Sequence, residues 1–427
     1  MGNGPIDLLY LPSWCSNLEW NRRYPPYHSF LEDLSKFTRL IVVDRRGWGC
    51  SDGVDPRTTP PLETHADDLI AVLDDLGSRR AALFAVQESA SIAMLVAASY
   101  PQRVSKLIVM STSATWSTTD ETPWEWSDDE WEVELRTQRT WGSRSWAVGW
   151  AQTQAPALLG DEGAMDWITM MFRMTCGPEE AVAETRLWLT YDQRPIMSAI
   201  HRPTLVLRRS GEDETSSAEA ARYLEEHIPD ARYEELLGDG AQPWAGNHQA
   251  VTQAIERFLA VQAPEPTGQR RLVTVLFTDI VGSTETAVRL GDAAWGDLLR
   301  SHHDTVRTEL ARHRGREVDT AGDGFLAVFD APAAAIRCGL AVEDALRPLG
   351  LEIRAGVHTG EVETAGEEKG IAVHIGARVA ALAQASEILV SRTVRDLTAG
   401  SGLMFEDAGE HELKGVPDRW HLYRVVS

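Results

Sequence analysis

At 427 residues the chain exceeds one ordinary domain, and with 43% hydrophobic and 25% charged residues it has the composition of a globular protein. A net charge of −23 argues against a broad basic surface, so neither nucleic acid nor an anionic membrane is expected as a partner. No apolar run reaches the roughly 18 residues of a spanning helix, no signal peptide is evident, and Cys15, Cys50, Cys176 and Cys338 have neither metal-ligand nor disulfide spacing, so a cytoplasmic location is expected.

Strands and helices alternate through the first 260 or so residues. Strand-like runs at Arg39–Val43, Ala81–Val86, Lys106–Met110, Thr204–Leu207 and Ala231–Leu236 are separated by helical patterns. One of these, Thr64–Leu76, has Leu69, Val72, Leu73 and Leu76 on one face. The alternation predicts a parallel, doubly wound sheet covered by helices on both faces. It stops at about residues 112–195, where nine of the fifteen tryptophans fall and an acidic segment (TTDETPWEWSDDEWEVE) opens a helix-like stretch. That stretch reads as a cap inserted over the sheet, most of its tryptophans forming a packing layer. Pro264, Pro266 and Gly268 then break the pattern, marking a linker at 263–271 between domains at 1–262 and 272–427.

Several landmarks of the first domain resemble the α/β-hydrolase family over about residues 4–260. They are the run DRRGWGCSD (Asp44 to Asp52), the strand and helix of Ala81–Ser99, and Gly211-Glu212-Asp213. The family needs a nucleophile on a G-x-S-x-G elbow, then an acid, then a histidine. Here the elbow reads Ala85-Val86-Gln87-Glu88-Ser89, placing Gln87 at the nucleophile position. The acid position falls on Glu212 or its neighbour Asp213, and the histidine position on Ala241. An amide is no acyl-transfer nucleophile. Ser89 would need a base that the matching loop does not offer, since His248 lies in a helix-like run. The chain begins where the third strand of that fold would begin. The resemblance implies a pseudo-hydrolase, a scaffold or sensor whose old pocket would hold a small apolar ligand.

After the linker the order reads strand 272–278, helix 285–313, strands 316–321 and 325–329, helix 332–346, strand 351–358, helix 371–384 and strand 387–390. A terminal hairpin follows from Met404 to Val425. This is βαββαβ, the ferredoxin-like arrangement. Within it, FTDIVGST (Phe277 to Thr284) ends a strand on Asp279, and Asp323 lies in the tight turn Ala321-Gly322-Asp323-Gly324. Two acids at adjacent strand ends can share divalent metal, because Mg²⁺ prefers carboxylate and phosphate oxygens. The backbone N–H groups of Ile280, Val281, Gly282, Ser283 and Thr284, at a helix start, can cradle phosphates.

FTDIVGST, AGDGF, IRAGVHTGEV, GIAVHIGARVAALA and ELKGV, in that order, resemble the class III nucleotidyl cyclases over about Arg271 to Val425. The resemblance implies two domains paired head to tail, hence a homodimer, each site taking metal ligands from one partner and base-reading groups from the other. It implies two Mg²⁺ or Mn²⁺ ions on Asp279 and Asp323, assisted by the Ile280 carbonyl. Arg378 matches the transition-state arginine, and His374 the position of a ribose-orienting asparagine. Arg354 and Lys414 match phosphate-contacting positions. The base-reading positions fall on Asp319, where adenylate cyclases carry lysine, and Glu367, where they carry aspartate. ATP is implied as substrate because most bacterial members with this surrounding motif are adenylate cyclases. GTP, relaxed or weak turnover, and a non-catalytic nucleotide-binding module are the alternatives.

Overall fold

The computed structural model describes residues 1–13, 16–212, 217–261, 270–363 and 370–426. The chain divides into two compact units, residues 1–266 and 267–427. Residues 263–269 of the expected linker, with residue 262 before them, lie outside the described residues, while Arg270 and Arg271 already belong to the first strand of the second unit.

The first unit is built on strands β1 (Ile6–Leu11), β2 (Thr38–Val42), β3 (Ala81–Val86), β4 (Val104–Met110), β5 (Thr204–Arg209) and β6 (Ala231–Leu236). All pair in parallel, in the order β2-β1-β3-β4-β5-β6. Every residue of β3 is buried, as is every residue of the helix after it, α1 (Ser89–Ser99). A strand shielded on both faces loses the in-and-out alternation and reads as a continuous apolar run. Between β4 and β5 the chain leaves the sheet for helices at Asp128–Thr137, Arg144–Gln154, Glu162–Thr175 and Pro178–Trp188. Side chains set three of these starts: Ser127 and Glu130 form a reciprocal capping box, and Ser143 and Asp161 each accept a first-turn N–H. Trp141, Trp146 and Trp150 pack around Phe172, ring centroids 4.7–5.8 Å away.

The second unit has seven strands: β7 (Arg270–Ile280), β8 (Arg316–Ala321), β9 (Gly324–Phe329), β10 (Ile353–Glu363), β11 (Glu387–Ser391), β12 (Met404–Glu412) and β13 (Arg419–Val426). Their order is β12-β13-β11-β10-β7-β9-β8. Only the β10–β11 pair is parallel. The run β10-β7-β9-β8 is the ferredoxin-like core expected from the sequence. Where one helix was expected at 285–313 there are two, α2 (Ser283–Leu290) and α3 (Asp292–Arg312). Gly291 separates them at φ 76°, ψ 162°, a conformation outside the helical region that glycine tolerates. Strand β10 also runs five residues past its expected end, to Glu363, pairing with the whole of β7.

α3 and α4 (Pro332–Leu346) cover one face of this sheet, with Val306, Leu310, Ile336 and Val342 packed on Leu276, Ile280 and Phe325. α5 (Ile371–Leu382) covers the other, burying Ala372, Ile375, Gly376, Val379 and Ala380. It lies so close that a Cβ on Gly356 of β10 would sit 2.1 Å from the Ala380 nitrogen. Among the described residues no helix is long and apolar enough to cross a membrane.

Candidate functional site

The antiparallel pairing of Thr278 with Phe325 leaves Asp279 and Asp323 just beyond it, at the same end of the sheet. Asp279 is half-buried. Its Oδ2 accepts from both Arg354 Nε at 3.0 Å and Nη2 at 2.6 Å, two donors on one oxygen set by the Arg354–Asp279 register between β10 and β7. Asp323 Oδ2 is buried with no hydrogen-bond partner among the described residues, and so is Thr278 Oγ1. A buried carboxylate oxygen without a donor is costly unless something cationic meets it. Two carboxylates, one already orphaned, fit a hard divalent cation. The turn that carries Asp323 is held from outside by His303, whose Nε2 lies 3.0 Å from the Gly322 carbonyl oxygen.

Beside these acids, Gly282 adopts φ 65° and starts α2 with no side-chain cap. The first-turn N–H groups, including those of Ser283 and Thr284, therefore lack the capping oxygen that usually meets them. Val281 differs from the expectation: its N–H already donates to the Glu352 carbonyl at 2.9 Å, so it serves the sheet end and not a phosphate. Arg354 differs likewise, since its guanidinium neutralises Asp279.

The other expected groups form a separate cluster. His374 and Arg378 are exposed, one turn apart on α5, off its buried stripe. Arg378 Nε donates to the Lys414 carbonyl at 3.1 Å, and the Lys414 side chain is exposed. No hydrogen bond or ion pair among the described residues joins this cluster to Asp279 or Asp323. Asp319 is exposed at a bulge in β8, its Oδ1 accepting from the Thr320 N–H at 2.9 Å. Glu367 lies outside the described residues.

In the first unit the degenerate triad positions converge. Gln87 has φ 52°, the left-handed conformation in which a nucleophile elbow presents its side chain. Its amide is tied on both sides, donating to Gln154 Oε1 at 2.8 Å and accepting from Gln242 Nε2 at 3.2 Å. Glu212 is buried, taking a hydrogen bond from Ser111 Oγ at 2.7 Å, and Ser111 also reaches the Ala241 carbonyl at 3.4 Å. Asp213 lies outside the described residues. Ser89 is fully buried and donates to the Pro12 carbonyl at 2.7 Å, while His248 is engaged with Asp33 at 3.2 Å. Elbow and acid are in place without nucleophile or base, so p-nitrophenyl acetate should be hydrolysed no faster than in buffer. Turnover abolished by Ser89→Ala would contradict this.

Above the elbow, between sheet and cap, lies a cavity of about 520 Å³. Trp116, Trp126, Trp131, Trp146, Trp150 and Trp188 line it, so the tryptophans do more than pack the cap. Glu88, Glu125 and Glu134 line it too. Of these, Glu125, Trp126, Trp131 and Glu134 fall in the acidic, tryptophan-rich run at 118–134, whose tryptophans the sequence reading took mostly as packing.

Burial pushes the Glu212 and Glu125 carboxyls up to about 7 and Glu88 up to about 8, the last against the pull of Arg45. The folded chain therefore keeps protons that the unfolded chain has released above about pH 4.5, and stability falls as pH rises toward 8. Burial pushes His65 down to about 3, which raises stability with pH but only below the unfolded value of 6.5. Between pH 6.5 and 8 the carboxyl effect stands clear of the histidine. The thermal midpoint of the first unit should fall across that window, and less steeply in Glu212→Gln. A flat profile in the wild type would contradict the assignment.

Residues 8–241, more than half of the chain, match the model of the alpha/beta hydrolase fold, and the protein belongs to that family. Residues 266–427 match the adenylate and guanylate cyclase catalytic domain, so a cyclase domain follows the hydrolase fold. An uncharacterized protein of Rhizobium meliloti is 32% identical over 183 residues, covering 38% of this chain and 18% of that protein. Putative adenylate cyclase 3 of the same organism is 25% identical over 165 residues, covering 36% of this chain and 28% of that one. The chain thus spans less than a third of the length of these curated relatives. A hydrolase from Oleispira antarctica is 19% identical, with a TM-score of 0.53 over 61% of this chain and 92% of that one, a likeness of fold.

Proposed function

We propose that the protein is a class III nucleotidyl cyclase, converting ATP to 3′,5′-cyclic AMP and pyrophosphate as a homodimer through residues 272–427. In this reading residues 1–262 are a non-hydrolytic scaffold or sensor joined by the linker at 263–271. The observation that carries the reading is the pair Asp279 and Asp323 at one sheet end, one oxygen of Asp323 buried and unpartnered, beside an uncapped helix start.

Asp279, Asp323 and the Ile280 carbonyl would hold the two divalent ions, Mg²⁺ or Mn²⁺. Bound there, such ions supply acidification of the ribose 3′-hydroxyl and neutralisation of the triphosphate. The N–H groups of Gly282, Ser283 and Thr284 receive phosphate oxygens. The 3′-hydroxyl gives its proton to solvent as its oxygen attacks the α-phosphorus, the bond from that phosphorus to the bridging oxygen breaks, and pyrophosphate leaves. Arg378, contributed by the second subunit, places its guanidinium on the charge that grows on the phosphate oxygens, while His374 orients the ribose. Exposure of both side chains on one helix, apart from the acids, supports a site completed by a partner. Asp319, an exposed acid where adenylate cyclases carry lysine, favours GTP as the second reading, because a carboxylate accepts the N–H groups that guanine offers.

Arg378→Ala should lower kcat by on the order of 10²-fold or more. Mixed in equal amounts with Asp279→Ala and allowed to exchange subunits, it should recover up to about a quarter of wild-type turnover. Half of the dimers are then mixed, and each mixed dimer carries one intact site. Failure to recover, with dimers present by light scattering, would contradict the shared site.

A further inference from the structure

The cavity between sheet and cap has a composition that selects its occupant. Six tryptophans line it, and its ionisable lining residues are Glu88, Glu125 and Glu134, with no lysine, arginine or histidine among the described residues at its wall. Glu88 is 1% exposed, and its Oε2 is buried without a hydrogen-bond partner among the described residues. The one nearby cation, Arg45, is divided between two acids: Nη2 lies 2.9 Å from Glu88 Oε1 and Nη1 lies 3.4 Å from Glu184 Oε1, all three side chains buried. One positive charge facing two buried carboxyl groups cannot balance both when they ionise, so Glu88 keeps its proton unless a second cation is bound beside it.

The upper wall repeats the deficit. Glu125 accepts from Ser113, and Glu134 accepts from Gln138 Nε2 at 2.9 Å and Thr137 Oγ1 at 3.1 Å. These partners are neutral, and no ion pair to either carboxylate is found among the described residues. Burial pushes both carboxyls up, Glu125 to about 7, as for acids without a counter-ion. A neutral hydrocarbon would leave them unmatched, and an anion would add repulsion. A positive charge answers both features, since tryptophan is the aromatic that attracts cations most strongly.

We propose that this cavity is a binding site for a hydrophobic organic cation, an amine or quaternary ammonium of small-drug size, bound without being turned over. The volume of about 520 Å³ suits such a ligand. The ammonium is met by Glu88 and Glu125 and by tryptophan faces, and the ligand's apolar body fills the remainder. The two indole N–H groups of Trp116 and Trp150 have no acceptor among the described residues and can take an oxygen carried by the ligand. The inference deepens the reading of residues 1–262 as a non-hydrolytic sensor, and it replaces the expected neutral apolar ligand with a charged one.

The test titrates the full chain with 4-phenylbutylamine, 4-phenylbutanol and 4-phenylbutyrate, following tryptophan fluorescence and calorimetric heat. The amine should bind on the order of tenfold more tightly than the alcohol, and the carboxylate most weakly. Glu125→Gln and Glu88→Gln should each lower amine affinity severalfold and leave the alcohol unchanged. Glu125 and Glu134 lie on the cap, away from the Arg45 cluster, so Glu125→Gln and Glu134→Gln keep the test open if Glu88→Gln fails to fold. Equal affinities for the three compounds, preference for the alcohol or carboxylate, or no binding of the amine would overturn the proposal. The acetate ester assay on the same preparation separates the two claims. Without amine binding or ester turnover the cation site alone falls, whereas enzymatic turnover removes the non-hydrolytic reading.

Discussion

Asp323→Asn should reduce cyclic nucleotide formation by on the order of 10³-fold or more, a loss of several kcal/mol in transition-state stabilisation. The substitution keeps the side-chain shape and removes the charge from the oxygen that the fold buries without a partner. An amide there can still occupy the turn, so the fold should persist, and unfolding midpoints should match the wild type within about 0.5 kcal/mol or rise slightly. Asp279→Ala should abolish turnover as completely, and it also frees Arg354 from its carboxylate. A direct metal readout separates chemistry from packing: Mn²⁺ bound per chain, measured by electron paramagnetic resonance with 3′-deoxy-ATP, which lacks the attacking hydroxyl, should fall in both variants. Undiminished Mn²⁺ binding in the two would remove the metal assignment.

The second large effect is on stability. Gly356→Ala would put a methyl carbon 2.1 Å from the Ala380 nitrogen and 2.5 Å from its Cα, both backbone atoms of α5. Neither can swing aside as a side chain would, so helix and sheet must separate. The cost is about 3 kcal/mol or more, the upper range for overpacking a filled interior. Thirteen of the fifteen tryptophans belong to the first unit, so tryptophan fluorescence reports mainly on that unit while cyclase activity reports on the second. In urea, Gly356→Ala should lose activity at much lower concentration and leave the main fluorescence transition in place. Gly296→Ala, in α3 with only Arg300 Nη1 at 3.8 Å, is the control and should be neutral or stabilising by up to about 1 kcal/mol. Equal behaviour of the two variants would contradict the close approach of α5.

Much of this architecture could be read from the chain, and the exceptions have physical causes. Strands such as Ala81–Val86 announced themselves by apolar runs, and the helical face of Val306 and Leu310 by its spacing. The strand Ile6–Leu11 was placed only by resemblance, as the strand with which the chain begins, and was not singled out from its own apolar run LLYL. The split of one helix at Gly291 turns on a single backbone conformation that a periodic pattern runs straight through. The order of strands within each sheet was not legible in local propensity, since pairing is a long-range property.

In the site, acids at turns were legible because their neighbours are small and their strands apolar. The Arg354–Asp279 pair was not, because it depends on the register between β10 and β7, residues 75 apart in sequence. Val281 was misjudged for the same reason: its N–H meets the Glu352 carbonyl across the sheet end. The tryptophans of the cap illustrate a different limit. Their number suggested packing, and only the fold shows that six of them share a cavity with three carboxylates.

The most direct test of the account is product analysis. The full chain is incubated with ATP or with GTP, in Mn²⁺ and in Mg²⁺, and cyclic nucleotide and pyrophosphate are quantified together. The expected products are 3′,5′-cyclic AMP and pyrophosphate in equal amounts from ATP, absent in Asp279→Ala. No cyclic product from either nucleotide with either metal, or a rate unchanged by Asp279→Ala, would contradict it.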